Sequence, residues 1–102
     1  MRIISRVPIS DFKLKHPDSG DSLENWYRTI YKGSFANFME LKAIFGSSVD
    51  VVVKGFVFDI CNNKYRLAAS FHFNAKTVYV REIMTHAEYS KNAWKKRHQD
   101  FH

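Results

Sequence analysis

The 102-residue chain is 45% hydrophobic, 16% aromatic and 25% charged, with a net charge of +6. A chain of that length and composition is one folded domain, residues 1-102, globular rather than disordered, with a single modest core and no room for a second. The basic excess points to a polyanion as partner, either nucleic acid or an acidic protein.

The lone cysteine, Cys61, has no partner for an internal disulfide and suits a reducing compartment. No run approaches the roughly 18 consecutive apolar residues of a membrane span, and Met1 to Ile9 lacks the apolar stretch of a signal peptide. A soluble, cytoplasmic protein without membrane contact is the expectation.

In chain order, Ile3 and Ile4 predict a short first strand. Pro8 is tolerated in a first helical turn and Pro17 stops the same helix, giving a short helix from about Ile9 to Lys15. After the turn-forming segment HPDSGDS, Asp21 and Glu24 form a capping-box pattern. Leu23, Trp26, Tyr27, Ile30 and Tyr31 then share one helical face, which Gly33 ends. Asn37 with Glu40 repeats the capping signal for a third helix, with Phe38, Leu41 and Phe45 on one face and Gly46 at its end.

The second half reads as strands. Val49 to Val53 and Phe56 to Cys61 are β-branched or aromatic runs, and Asn62-Asn63 suits a two-residue hairpin turn. That turn sets Cys61 opposite Lys64, Ile60 opposite Tyr65, Asp59 opposite Arg66 and Phe58 opposite Leu67. Phe56, Phe58, Ile60, Tyr65, Leu67, Ala69, Phe71 and Phe73 then lie on one face, with Asp59, Lys64, Arg66, Ser70 and His72 on the other. A second turn at Asn74-Ala75 returns the chain from Lys76 to Ile83, adding Val78 and Val80 to the apolar face and Thr77, Tyr79 and Arg81 to the polar one. Glu82 lands on the apolar side without a reason. A capping box at Thr85 and Glu88 then opens a last helix, followed by Tyr89, Ala93, Trp94 and a basic run. The fold class is α+β.

Thr85 as N-cap places His86 at the first helical position and Tyr89 one turn later on the same side. Arg66 and Arg81 add rigid forks that match a phosphate better than lysine does. Cleaving RNA without a cofactor requires a group to take the 2′-hydroxyl proton, one to stabilise charge on phosphorus and one to protonate the leaving oxygen. Histidine can serve either proton transfer near neutrality, and arginine suits the charge.

The segments NKYRL, TVYVREIMTHAEY and ELKAIFG resemble the HigB family of bacterial toxins, within the RelE-like group of messenger RNA interferases. The resemblance runs from Met1 to Lys91. It implies a RelE-like fold, with an N-terminal strand and helices on an antiparallel sheet of about four strands and a short C-terminal helix. It also implies ribosome-dependent, metal-independent cleavage of mRNA in the ribosomal A site. The implied partners are the ribosome, mRNA and a cognate antitoxin, a small helix-turn-helix DNA-binding protein.

By position, the resemblance makes Arg66 the contact to the scissile phosphate, His86 the late catalytic residue and Tyr89 the aromatic on the substrate. RelE has two lysines on the preceding strand. This chain has Phe56, Val57, Phe58, Asp59 and Ile60 there, which leaves the proton acceptor open between His86 and Lys64. RNA-holding candidates are Lys64, Arg81, Lys91, Lys95, Lys96 and Arg97.

Each residue also has a plain reading. Arg66 can be half of a cross-strand ion pair with Asp59, Arg81 a surface arginine, His86 an exposed helix starter and Tyr89 a packing residue. His72 reads as solvated, and His98 with His102 as a tail rather than a metal site. Two rival functions follow: a noncatalytic basic RNA-binding or ribosome-associated domain, and an inactive domain whose basic face docks an acidic antitoxin.

Overall fold

A computed structural model describes residues 1–52, 55–91 and 94. Within them the chain runs β1 (Arg2–Ile4), α1 (Val7–Lys15), a 3₁₀ turn (Pro17–Ser19), α2 (Gly20–Lys32), α3 (Phe38–Phe45), a second 3₁₀ turn (Gly46–Ser48), β2 (Val49–Val52), β3 (Gly55–Ile60), β4 (Tyr65–His72), β5 (Thr77–Thr85) and α4 (His86–Ser90). The strands form one sheet in the order β1-β5-β4-β3-β2. The α+β fold expected from the sequence is borne out, with one extension. The N-terminal strand enters the sheet itself as a fifth strand, parallel to β5, with Ile3 opposite Val78. Parallel neighbours need a long crossover, and here the helices and β2 to β4 lie between them in sequence.

Local chemistry explains most helix limits. α1 takes Pro8 in its first turn and stops at Lys15 ahead of Pro17. The Asn37 side chain accepts the Glu40 amide at 3.1 Å to start α3, and Gly46 at φ 61° ends it in a conformation that costs a side chain more. The expected capping box of Asp21 and Glu24 is absent. The 3₁₀ turn already feeds a helical Ser19 into α2, so the helix starts two residues earlier, and the Glu24 carboxylate pairs with Lys13 and, at 3.7 Å, with Arg6.

The main core lies between the helices and one face of the sheet. Leu23, Trp26 and Ile30 of α2 and Leu41 of α3 meet Phe58, Leu67, Phe71, Val78 and Val80. Phe58 is edge-on to Trp26 at 5.4 Å and to Phe45 at 4.9 Å. Tyr31 departs from the predicted stripe: it is exposed and stacks on Tyr27.

The β3–β4 register is as predicted, with Asp59 opposite Arg66 and Phe58 opposite Leu67. Asn62 and Asn63 both have positive φ, and the Lys64 amide closes the turn on the Cys61 carbonyl at 3.1 Å. The second hairpin keeps the predicted pairing from His72–Thr77 to Ala69–Val80, and the Lys76 amide closes the Asn74-Ala75 turn on the Phe73 carbonyl at 3.1 Å.

Beyond Val80 the register changes. A bulge makes Ala68 pair with Glu82, so Arg81 is an extra residue and every later side chain of β5 switches face. Glu82 therefore belongs to the face of Ala68, not to the apolar face, and Ile83 joins the main core. Met84 passes to the opposite face. There it forms a second, smaller core with Val57, Ala68 and Trp94, flanked by Val52 and Tyr89.

Candidate active site

The predicted residues meet where β4 begins, β5 ends and α4 starts. Arg66, opposite Asp59 on β3 and Met84 on β5, is held on several sides. Its Nε lies 3.0 Å from Asp59 Oδ1, and its Nη1 donates to the carbonyls of Asn63 at 3.0 Å and Tyr65 at 3.1 Å. Its Cζ sits 5.5 Å from the centre of the Tyr89 ring. The side chain is only 11% exposed, and Nη2 donates no hydrogen bond to the described residues. The ion pair with Asp59 is thus real, and it leaves one edge of the guanidinium for an anion.

α4 brings the other two residues. Thr85 Oγ1 accepts the Glu88 amide at 3.2 Å while Glu88 Oε1 accepts the Thr85 amide at 2.9 Å, completing the predicted capping box. The His86 amide donates to the Lys64 carbonyl at 3.1 Å, tying the helix start to the residue before β4. The His86 ring is exposed, with Ser90 Oγ 3.5 Å from Nδ1.

Tyr89 turns inward under Arg66. It stacks on Trp94 at 5.5 Å, and Trp94 Nε1 donates to the Tyr89 carbonyl at 3.2 Å. Burial raises the Tyr89 phenol above its ordinary pKa, Arg66 opposes that, and the carboxylates of Asp50 and Asp59 reinforce it. The phenol is a donor near neutrality, not a base.

Lys64 goes elsewhere. Its ammonium bonds Asp18 Oδ2 at 3.0 Å, and Asp18 also accepts from the Tyr65 hydroxyl at 2.8 and 3.0 Å. The Cys61 thiol completes this latch by donating to the Asp18 carbonyl at 3.4 Å. Asp18 therefore draws Lys64 away from the polar sheet face that strand alternation predicted for it. The Tyr65 and Lys64 hydrogen bonds hold the Asp18 carboxyl below its usual pKa, and Asp18 in turn raises that of Lys64. A lysine kept protonated is a poor proton acceptor.

Arg81 stands apart along the strand. Placed by the bulge between the partners of Ala68 and Ala69, it is two to three residues from Arg66, roughly 7–10 Å along β4. Its Nε donates to Ser70 Oγ at 3.0 Å and its Cζ lies 5.3 Å over the Tyr79 ring. Lys91 is exposed just past α4, and His72 is exposed beside Tyr79. Lys95, Lys96, Arg97, His98 and His102 lie outside the described residues. Among the described residues no three His, Cys, Asp or Glu side chains gather as a metal site.

The polar face is less basic than predicted, because Asp50, Asp59 and Glu82 share it with the arginines. Sequence reasoning weighed Asp59 only as an ion-pair partner and missed Trp94 as the support of Tyr89. A recess of about 330 Å³ opens beside Arg66, lined by Ser47, Ser48, Asp59, Asn62 and Asn63. Only polar side chains line it.

Comparison with known proteins shows the family. Residues 19–92 match the HigB toxin family, described as the RelE-like toxic component of a toxin-antitoxin system. The mRNA interferase toxin HigB of Escherichia coli K12 is 34% identical over 91 residues, covering 87% of this chain and 88% of the relative. The mRNA interferase HigB of Shigella flexneri matches to the same extent. The mRNA interferase HigB of Escherichia coli O6:H1 is 31% identical over 93 residues, with 89% and 90% covered. With the family match spanning most of the chain and these relatives aligning over nearly all of it, the chain belongs to the HigB family of RelE-like toxins, the toxic components of toxin-antitoxin systems.

Proposed function

We propose that this toxin is a ribosome-dependent endoribonuclease that cuts translated mRNA in the ribosomal A site and is restrained by a cognate antitoxin, a small helix-turn-helix protein. The observation that carries the reading is the immobilised guanidinium of Arg66, with one open edge, at the corner where α4 starts with His86. The relatives' description as mRNA interferases supports the substrate class.

Arg66 stabilises the charge that grows on the scissile phosphate, and Asp59 and the carbonyls of Asn63 and Tyr65 fix it in place beforehand. His86 transfers a proton, and Tyr89 orients the nucleotide beneath the guanidinium. Arg81, Lys91, Lys95, Lys96 and Arg97 hold RNA backbone. Lys64 joins them by exchanging its exposed Asp18 partner for a phosphate, a small loss because such a surface pair contributes little. No described helix is long and apolar enough to cross a membrane, and action on translated mRNA places the toxin in the cytoplasm.

Brief induction in bacteria, followed by mapping of mRNA 5′ ends, tests the reading. Growth stops and new ends appear inside translated frames; Arg66→Ala and His86→Ala each abolish both. The rival reading, a basic RNA-binding domain, draws on the Arg66–Asp59 ion pair as a purely structural contact, and it predicts no new ends from the wild type.

A further inference from the structure

Cleavage by the 2′-hydroxyl involves two proton transfers, and His86 supplies one of them. The groups around Arg66 narrow the choice for the other. Lys64 on the strand connection is bound to Asp18, Glu88 of α4 is occupied by the capping box, and the half-buried Tyr89 phenol, its pKa raised, is a donor. Asp50 lies on β2, two strands from Arg66. Asp59 on β3 is different: one carboxylate oxygen holds Arg66 Nε, and the other has no partner among the described residues. The side chain is 32% exposed and faces the polar recess of Ser47, Ser48, Asn62 and Asn63, where a ribose bonded to an Arg66-bound phosphate has room.

We propose that Asp59 is the general base of the cleavage, a role that rests on the endoribonuclease reading above. Asp59 Oδ2 takes the proton of the 2′-hydroxyl as the 2′ oxygen bonds to phosphorus. The bond from phosphorus to the 5′ oxygen breaks, and that oxygen takes a proton from the His86 imidazolium. The products are a 2′,3′-cyclic phosphate and a 5′-hydroxyl, and solvent restores both residues. Arg66 serves the base and the phosphate together: it orients the carboxylate through Nε and offers Nη2 to the phosphorane.

The test is single-turnover cleavage on programmed ribosomes, with mRNA carrying either oxygen or sulfur at the 5′ bridging position of the cut site. A thiolate leaves without protonation, so sulfur restores a variant lacking the acid and not one lacking the base. Asp59→Asn is expected to lose about 10²- to 10⁴-fold on both substrates, whereas His86→Ala loses as much on oxygen and recovers on sulfur. Asp59→Glu keeps the carboxylate and retains part of the rate. Binding of the antitoxin by Asp59→Asn reports that the variant is folded. The proposal is overturned if Asp59→Asn cuts within about threefold of wild type on oxygen, or if sulfur rescues it as fully as His86→Ala. A wild type that cuts neither substrate overturns the endoribonuclease reading instead.

Discussion

Arg66 shows how one residue can satisfy a structural and a chemical account at once. An exposed cross-strand ion pair contributes on the order of 0–1 kcal/mol, but this guanidinium is mostly covered and makes three further contacts. Fixing it in advance removes the cost of ordering a flexible side chain when the phosphate arrives, which is where such a site gains rate. Arg66→Lys keeps the charge and loses the fork. A lysine ammonium cannot hold Asp59 and present a second edge in the same plane. Cleavage of programmed ribosomes by Arg66→Lys should fall on the order of 10²- to 10³-fold with little change in ribosome binding. Equal loss of binding and rate would mean that Arg66 holds RNA rather than stabilising the transition state. Tyr89→Phe separates hydroxyl from ring: if the ring beneath Arg66 is what matters, it keeps most of the activity and Tyr89→Ala does not.

At the scale of elements, two local devices set the geometry of the site, and both were partly legible in the sequence. The THxE pattern predicted the capping box that starts α4, and the structure forms it completely. Thr85→Ala removes one of its two bonds and should cost about 1 kcal/mol of stability, read as a lowered urea midpoint, with a larger effect on activity because α4 carries both His86 and Tyr89. The Asn62-Asn63 turn with its alternating flanks predicted the β3–β4 register, hence the Asp59–Arg66 pairing. The bulge at Arg81 left no such trace. Ala68 and Ala69 fit either face of a sheet, so nothing in their side chains marked the change of parity, and only the misplaced Glu82 hinted at it. The latch at Asp18 joins residues 46 and 47 positions apart, beyond the reach of local patterns. It also has a pH signature. Asp18 has a depressed pKa in the folded state, so its contribution is present above the unfolded value and is lost as pH falls through the folded one. Lys64 and Tyr65 have raised values, so their contributions hold below their unfolded pKa and fade as pH rises through the folded ones. Hydrogen exchange of the Lys64 and Tyr65 amides should therefore accelerate below about pH 4, and Asp18→Asn should abolish that acceleration.

Across the whole molecule, the sheet separates stability from function by face. One face carries the main core beneath α1, α2 and α3; the other carries Arg66 and the small core of Val57, Ala68, Met84 and Trp94. The large core was readable from helical and strand periodicity. The small one was not, because it depends on the bulge that turns Met84 over and on Trp94 returning to the sheet from far along the chain. The two cores should respond differently to truncation. Phe58 touches Trp26, Phe45 and Phe71 and is fully buried on the helix side, so Phe58→Ala should cost about 3–5 kcal/mol and lower the melting temperature by more than about 10 °C. Below that melting point its cleavage rate should stay near wild type, since its ring packs on the helix side of the sheet, the face opposite Arg66. Trp94 is equally buried, but its indole is the surface on which Tyr89 rests and its N–H holds the Tyr89 carbonyl. Trp94→Ala should lose comparable stability and, even where fully folded, should cut more slowly because Tyr89 no longer lies under the guanidinium. Measuring single-turnover cleavage for both variants at a temperature where each is folded by circular dichroism decides the point. Equal rates would show that the small core supports the fold alone and that Tyr89 needs no support from Trp94.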